Sequence, residues 1–267
     1  MTKVKSLPAL LALSDSLRAA RTDQGLGLRR FADALGVPAA TLSSWETGKR
    51  QPEIDVVAHI LGFLRVSPAE YQRIMWLWHQ LDSPTFIENL IPGTASLRQK
   101  LDELAVRSWE WAPHTVPEPL QTPEYTRAIL QRDATQPDDI DVEVFIRQAQ
   151  QLGRKQPRRR TVLLGAAALA PAAASQLHAI GATADRLHVK IRIVPASTEG
   201  ARTMEPFTIY ETAGKTFTVA LRHHDNVIFV SERDVVQRYR SRFRSLEREV
   251  IDDADLDRSE SPRYRRA

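Results

Sequence analysis

At 267 residues, with 42% hydrophobic and 26% charged residues, the chain has an ordinary globular composition and enough length for a second core beyond one small helical module. The absence of cysteine excludes disulfides, thiol catalysis and cysteine-ligated zinc. A formal net charge of +4 excludes a global polybasic surface, so any nucleic-acid affinity must come from a local patch.

The N-terminal stretch MTKVKSLPALLALSDSLRAAR carries two lysines and an apolar run, but Ser14, Asp15 and Arg18 recur at helical spacing among Leu10, Leu13 and Leu17. It reads as a first helix and not as a targeting segment, and a cytoplasmic, nucleoid-associated location is expected. From Gly25 to Pro52 the chain reads GLGLRRFADALGVPAATLSSWETGKRQP. Leu28, Phe31, Leu35, Val37, Leu42 and Trp45 fall at spacings that place them on the inner faces of two short helices crossing steeply. Ala32 suits the crossing point, and Gly36 suits a left-handed turn between the helices. Ala39, Ala40, Ser43 and Ser44 are left pointing outward from the second helix.

On FADALGV, TLSSWETGKR and the following proline, this segment resembles the Xre-type family, the fold of the lambdoid phage repressors and Cro. The resemblance implies that the second helix enters the major groove of double-stranded DNA. It makes Ala39, Ala40, Thr41, Ser43 and Ser44 the base-facing set, and Thr47, Lys49 and Arg50 the phosphate clamp. Family members also pair a glutamate ending that helix with an arginine in the first; Glu46 and Arg21 match both positions. Leu28 stands where many members place a glutamine that contacts phosphate, and Arg29 and Arg30 are the candidates to take that contact. No glutamine or asparagine reader of adenine is present, so readout would rest on Ser/Thr hydrogen bonds, methyl contacts or DNA shape.

After Pro52, Ile54, Val57, Ile60, Leu61 and Leu64 follow a helical period, and a further helix opens at Ser67-Pro68. Its Tyr71, Met75, Trp76 and Trp78 suit a core or a dimer contact, with core the preferred reading. Residues 1–82 are thus expected to form a five-helix DNA-binding domain, and 83–96, rich in turn signals, a linker.

Residues 97–250 read as a mixed α+β domain with a small, largely antiparallel sheet. Helical periodicity covers Leu97 to Trp109 and Val142 to Leu152, and HTVPEPLQTPEYTRAIL between them enters a helix at Thr122-Pro123. Arg158-Arg159-Arg160 followed by TVLLGAAALAPAAA mimics an export signal but lies mid-chain, and Pro171, Gln176 and His178 interrupt it too soon for a membrane span. It reads instead as a buried strand, Thr161 to Leu164, then an alanine-rich turn and a helix. Val189 to Val194, Phe207 to Glu211, Thr216 to Leu221 and Val227 to Ser231 alternate as strands, and Glu232 to Val250 as a last helix. The tail 251–267 is expected to be disordered.

VPEPLQTPEY, FIRQAQQL, VKIRIVP and PFTIY resemble the C-terminal domain of an actinobacterial group of Xre-type regulators described as antitoxin-like. That resemblance implies a small partner protein encoded nearby. Glu118-Pro119 replaces the group's usual proline-glycine, and the histidine often found after the VVP-like strand is absent. No nucleophile elbow, P-loop, Rossmann fingerprint or HExxH motif occurs, and no cofactor or metal is expected. His223-His224-Asp225 is the densest polar cluster, yet adjacent histidines on a strand face opposite ways. The chain is therefore read as a sequence-specific transcriptional regulator and not an enzyme, a homodimer whose C-terminal domain dimerises or binds a partner or ligand. The alternatives are an antitoxin-type protein that mainly binds its partner, and, more weakly, a hydrolase-like enzyme.

Overall fold

The computed structural model describes residues 6–90, 96–130, 159–169, 174–223 and 225–250. The chain divides into two compact units, Met1–Asn89 with Ile228–Glu232, and Leu90–Val227 with Arg233–Ala267. The expected helix Val142 to Leu152 and tail 251–267 lie outside the described residues.

The first unit carries α1 (Leu7–Asp23), α2 (Leu28–Ala34), α3 (Ala39–Glu46), α4 (Ile54–Phe63) and α5 (Pro68–His79), then a 3-10 turn, Gln80–Asp82, and strand β1 (Thr85–Asn89). Ser6 caps α1 by accepting the Ala9 N–H, while its own N–H donates to the Leu81 carbonyl and ties the two ends of the unit together. Leu13, Leu17, Phe31, Leu42, Ile60, Leu61 and Ile74 fill the core. α1 to α4 all end in the same way: in each, the second residue past the cap bonds back to a carbonyl five residues earlier, with a left-handed residue between. That residue is Gly25, Gly36 and Gly48 after the first three helices, and Arg65, at φ 48°, after the fourth.

Two expectations are corrected here. The segment 83–96 is not all linker, since Thr85–Asn89 is a strand whose Phe86 is buried. The aromatic residues of α5 are not core either: Trp76 is 52% exposed and Tyr71 37%, while Ile74 and Leu77 are buried. Residues 74–78 are all apolar and span more than one helix face, and the buried face is the one shared by Ile74, Leu77 and Leu81. Trp78 donates its indole N–H to the Pro52 carbonyl at 3.0 Å.

The second unit carries α6 (Leu97–Leu104), β2 (Ala105–Ala112), a 3-10 turn (Glu118–Leu120), α7 (Pro123–Leu130), β3 (Arg159–Gly165), α8 (Ala166–Leu169), α9 (Ala174–Leu187), β4 (Val189–Val194), α10 (Glu199–Thr203), β5 (Phe207–Thr212) and β6 (Phe217–His223). β7 (Asn226–Val230), which belongs to the first unit from Ile228 onward, and α11 (Arg233–Arg248) follow. Seven strands are hydrogen-bonded in the order β1-β7-β6-β5-β2-β3-β4. The sheet is larger than expected and mixed: β3 runs parallel to β2 and to β4, whereas β5 is antiparallel to β2 and β6. Parallel neighbours need a crossover, and α8 with α9 supplies it between β3 and β4. The sequence resembling an export signal is β3, with Val162, Leu163 and Leu164 at most 1% exposed.

The central strand β2 replaces the second half of the helix expected over Leu97 to Trp109. Its Trp109 and Trp111 join Leu163, Ile209 and Val219 in a core with Val236, Phe243 and Leu246 of α11. Val162, Leu164 and Ala112 belong to a second core with Ile180 and Ala184 of α9 and with Val116, Leu120 and Tyr125. The irregular VPEPLQTPEY segment is held by its own bonds: the Tyr125 hydroxyl accepts from the Val116 N–H and donates to the Ala168 carbonyl.

The left-handed positions supply a test. A Cβ at Gly48 would lie 2.9 Å from Leu11 Cδ2, in a conformation of φ 68°. Gly48→Ala is expected to cost at least about 1–2 kcal/mol. Arg65→Gly should instead be neutral or stabilising by up to about 1 kcal/mol, as it relieves a left-handed non-glycine. Urea unfolding midpoints of the full chain check both.

Candidate functional site

α2 and α3 form a helix-turn-helix. Phe31, Ala32, Leu42 and Trp45 are buried beneath it, Leu28, Leu35 and Val37 are half-buried, and Gly36 makes the turn. Phe31 also meets Phe63 edge-on at 5.6 Å between ring centres. Pro38 precedes α3 and offers no side-chain acceptor, so the first amides of that helix receive no side-chain cap. A helix start of this kind favours an anion.

Arg21 and Glu46 meet as a buried bidentate pair, with Nε to Oε1 at 2.7 Å and Nη2 to Oε2 at 2.8 Å. Arg21 Nη1 also donates to the Leu26 carbonyl, so one guanidinium holds α1, the turn after it and the end of α3. The hydrogen bonds that Arg21 donates to Glu46, aided by the carboxylate's charge, raise the Arg21 pKa against the opposing effect of burial.

The structure places the candidate base-facing residues along the outer side of α3. Ala40 is exposed; Ala39, Thr41, Ser43 and Ser44 are half-buried. Two hydroxyls are already engaged: Ser44 Oγ donates to the Thr41 carbonyl at 2.6 Å, and Thr47 Oγ1 to the Ser43 carbonyl at 2.7 Å. In this state each offers a partner its acceptor lone pairs. Thr47, Lys49 and Arg50 are exposed just after α3, and Arg29 and Arg30 are exposed on the first turn of α2. The Lys49 and Arg50 amides both donate to the Ser44 carbonyl, which fixes the backbone from which these cations project.

A scan against family models finds a helix-turn-helix model at residues 17–71 and a model described as a domain of unknown function, DUF5753, at residues 98–255. The chain belongs to the DUF5753 family. Its helix-turn-helix is of the Xre-like kind and supports a DNA-binding regulator. No curated protein matches the chain. Among solved structures, the archaeal chromatin protein TrmBL2, whose structure is described as showing a novel mode of DNA binding, aligns at 13% identity. The alignment covers 78% of this chain and 68% of that one, with a TM-score of 0.33, too low to indicate a shared fold.

The DUF5753 domain holds a feature that sequence reasoning missed. On one sheet face, Arg160, Ser108, Glu110 and Tyr210 lie together beneath Arg98 and Asp102 of α6. They are placed there by the pairing of Ser108 with Arg160 and with Tyr210. Arg160 is ion-paired with Glu110, and Glu118 sits between Arg98, at 3.4 Å, and Arg222. Asp102 Oδ1 and Ser108 Oγ are buried without a hydrogen-bond partner among the described residues. Burial pushes the Asp102 carboxyl above the ordinary range, opposed by Arg160 and Arg98. Burial likewise drives the Tyr210 phenol well up, with Asp102 adding to it. The only trace in the sequence is the alternation of Ser108 and Glu110 with Trp109 and Trp111, which marks a strand with one polar face. His223 and Asp225, by contrast, are exposed, and no cluster fit for a metal ion occurs among the described residues. No helix among those residues is long and apolar enough to cross a membrane.

Glu46→Gln or Arg21→Met alone should cost about 3–5 kcal/mol by stranding a buried charge, whereas an apolar replacement of both partners should recover much of the loss. Thermal melts of the three variants check this.

Asp102 gives a pH test. A carboxyl whose pKa is higher in the folded chain binds more protons there than when unfolded. Its contribution to stability therefore declines as pH rises from about 4 toward its folded pKa. Asp102→Asn removes that decline, so the variant's stability should improve relative to the parent as pH rises above about 4. Urea denaturation across that range reads the difference, and a gap constant with pH would contradict it.

Proposed function

We propose that this protein is a sequence-specific transcriptional regulator that binds double-stranded DNA through α2 and α3 and performs no catalysis. The observation that carries the reading is the arrangement around α3. The helix is locked from behind by the Arg21–Glu46 pair, its outer side carries small and hydroxyl-bearing side chains, and Lys49 and Arg50 stand exposed at its end. Such a helix can lie in the major groove, because nothing bulky projects from it, while the flanking cations meet phosphate.

In this reading Ala39, Ala40, Thr41, Ser43 and Ser44 face bases, with methyl contacts to thymine and hydroxyl acceptors for exocyclic amines. Arg29, Arg30, Thr47, Lys49 and Arg50 contact the backbone. The DUF5753 domain serves homodimerisation and the binding of a ligand or a small partner protein. The partner role is supported by β4, which ends the sheet among the described strands and presents Lys190 and Arg192 beside that edge.

Chromatin immunoprecipitation of the tagged protein identifies the operator, and shift assays on that operator then test the residues. Lys49→Ala and Arg50→Ala should weaken binding to all sequences alike, each reducing the salt slope by about 0.9 per lost phosphate contact. Ser44→Ala should leave the melting temperature nearly unchanged and alter preference at one operator position. A dimer predicts half-sites about 10 base pairs apart, or a multiple of that. Recovery of no enriched DNA would remove the proposal.

A further inference from the structure

α11 concentrates the charge of this protein. Its six arginines, against Asp234 and Glu247, give this one helix the same formal +4 as the entire chain. The inner face of the helix is committed to the core through Val236, Phe243 and Leu246. Two arginines are partly used within the fold, Arg240 over the Phe217 ring at 4.6 Å and Arg242 over Tyr239 at 5.3 Å. Arg238, Arg244 and Arg248 are exposed and, among the described residues, pair with no carboxylate.

The helical period sorts the outer side chains. Arg238 and Arg242 form one row and Arg244 and Arg248 another, each at i,i+4 spacing. Between the rows runs a strip of exposed Gln237, Ser241 and Ser245. Like charges at this spacing destabilise an isolated helix, and the one acidic residue exposed on it, Asp234, stands in the first turn, a turn before Arg238. Guanidinium rows flanking hydroxyl and amide donors match a line of phosphate oxygens, which arginine binds through paired N–H groups.

We propose that the outer face of α11 is a second phosphate-binding surface that takes the backbone of double-stranded DNA without reading sequence. The choice of DNA as occupant rests on the reading of α2 and α3 as a DNA interface, which brings duplex to this protein, and on the charge complementarity of the face.

The test uses the full chain and a short duplex of scrambled sequence, with affinity measured against salt concentration. The variant Arg238→Gln/Arg242→Gln/Arg244→Gln/Arg248→Gln should stay folded, its melting temperature lowered slightly at most by loss of the Arg242–Tyr239 contact, and lower the salt slope by about 2–4, since each phosphate contact contributes about 0.9. If the quadruple variant does not fold, Arg238→Gln/Arg242→Gln and Arg244→Gln/Arg248→Gln are each expected to give about half that change. Lys49→Ala/Arg50→Ala is measured beside it.

A slope lowered by Lys49→Ala/Arg50→Ala but untouched by the α11 variant overturns this proposal and leaves the reading of α2 and α3 in place. A slope lowered only by the α11 variant supports the proposal and removes that reading. An unchanged slope with loss of binding to phosphatidylserine vesicles would make the occupant a lipid surface and overturn the proposal.

Discussion

One buried ion pair fixes the direction of α3, the second helix of the helix-turn-helix. Arg21 reaches from α1 to grip both oxygens of Glu46 at the end of α3, and its remaining donor holds the Leu26 carbonyl. A helix of eight residues has little stability alone and cannot set its own orientation. Trp45 and Leu42 press it against the core without specifying its rotation as a bidentate pair does. Gly48 completes the arrangement, because only a residue without Cβ turns the chain there while Leu11 approaches so closely. The outward side of α3 and the positions of Lys49 and Arg50 follow from that lock.

The DUF5753 domain solves a different problem, a sheet buried on both faces. One face packs the tryptophans of β2 against α11 around an apolar centre, with the Arg107–Glu211 and Arg192–Glu247 pairs beside it. The other is divided, apolar over β4 and most of β3 and ionic where Arg160 of β3 meets β2, β5 and β6. A buried network of this type contributes little net stability compared with an apolar core, but removing one member leaves a charge stranded. It therefore fixes α6 in a single register over the sheet. Glu118, on a short 3-10 turn between Arg98 and Arg222, extends the network toward the surface and attaches the irregular segment to it.

Charge is distributed with the same economy. A chain of nearly balanced composition places its surplus on one helix, where the inner residues are hydrophobic and the outer ones are arginines, serines and glutamine. Long arginine stems also cover ring surface, as Arg240 does over Phe217, so part of this charge stabilises the fold it decorates.

The helix-turn-helix was legible residue by residue because its rules are local. Glycine is needed where φ is positive, apolar spacing follows the helical period, and small or polar residues remain outside. The strands from Val189 onward were legible for the same reason, as their alternation is set by the pleat. What failed were elements whose pattern depends on distant partners. β2 looked helical because Ser108 and Glu110 interrupt its apolar positions; Glu110 is tolerated because Arg160 pairs with it from a strand fifty residues away, and Ser108 lies in register with Arg160 and Tyr210. The aromatic residues of α5 looked like core because composition cannot say which of several apolar faces a helix will bury. The sequence by itself determined the helix ends, the turns and the small, hydroxyl-bearing character of the outer side of α3. Only the tertiary structure decided the parallel half of the sheet and the buried ionic face, because a strand's neighbours and a charge's partner are set by contacts far apart in the chain.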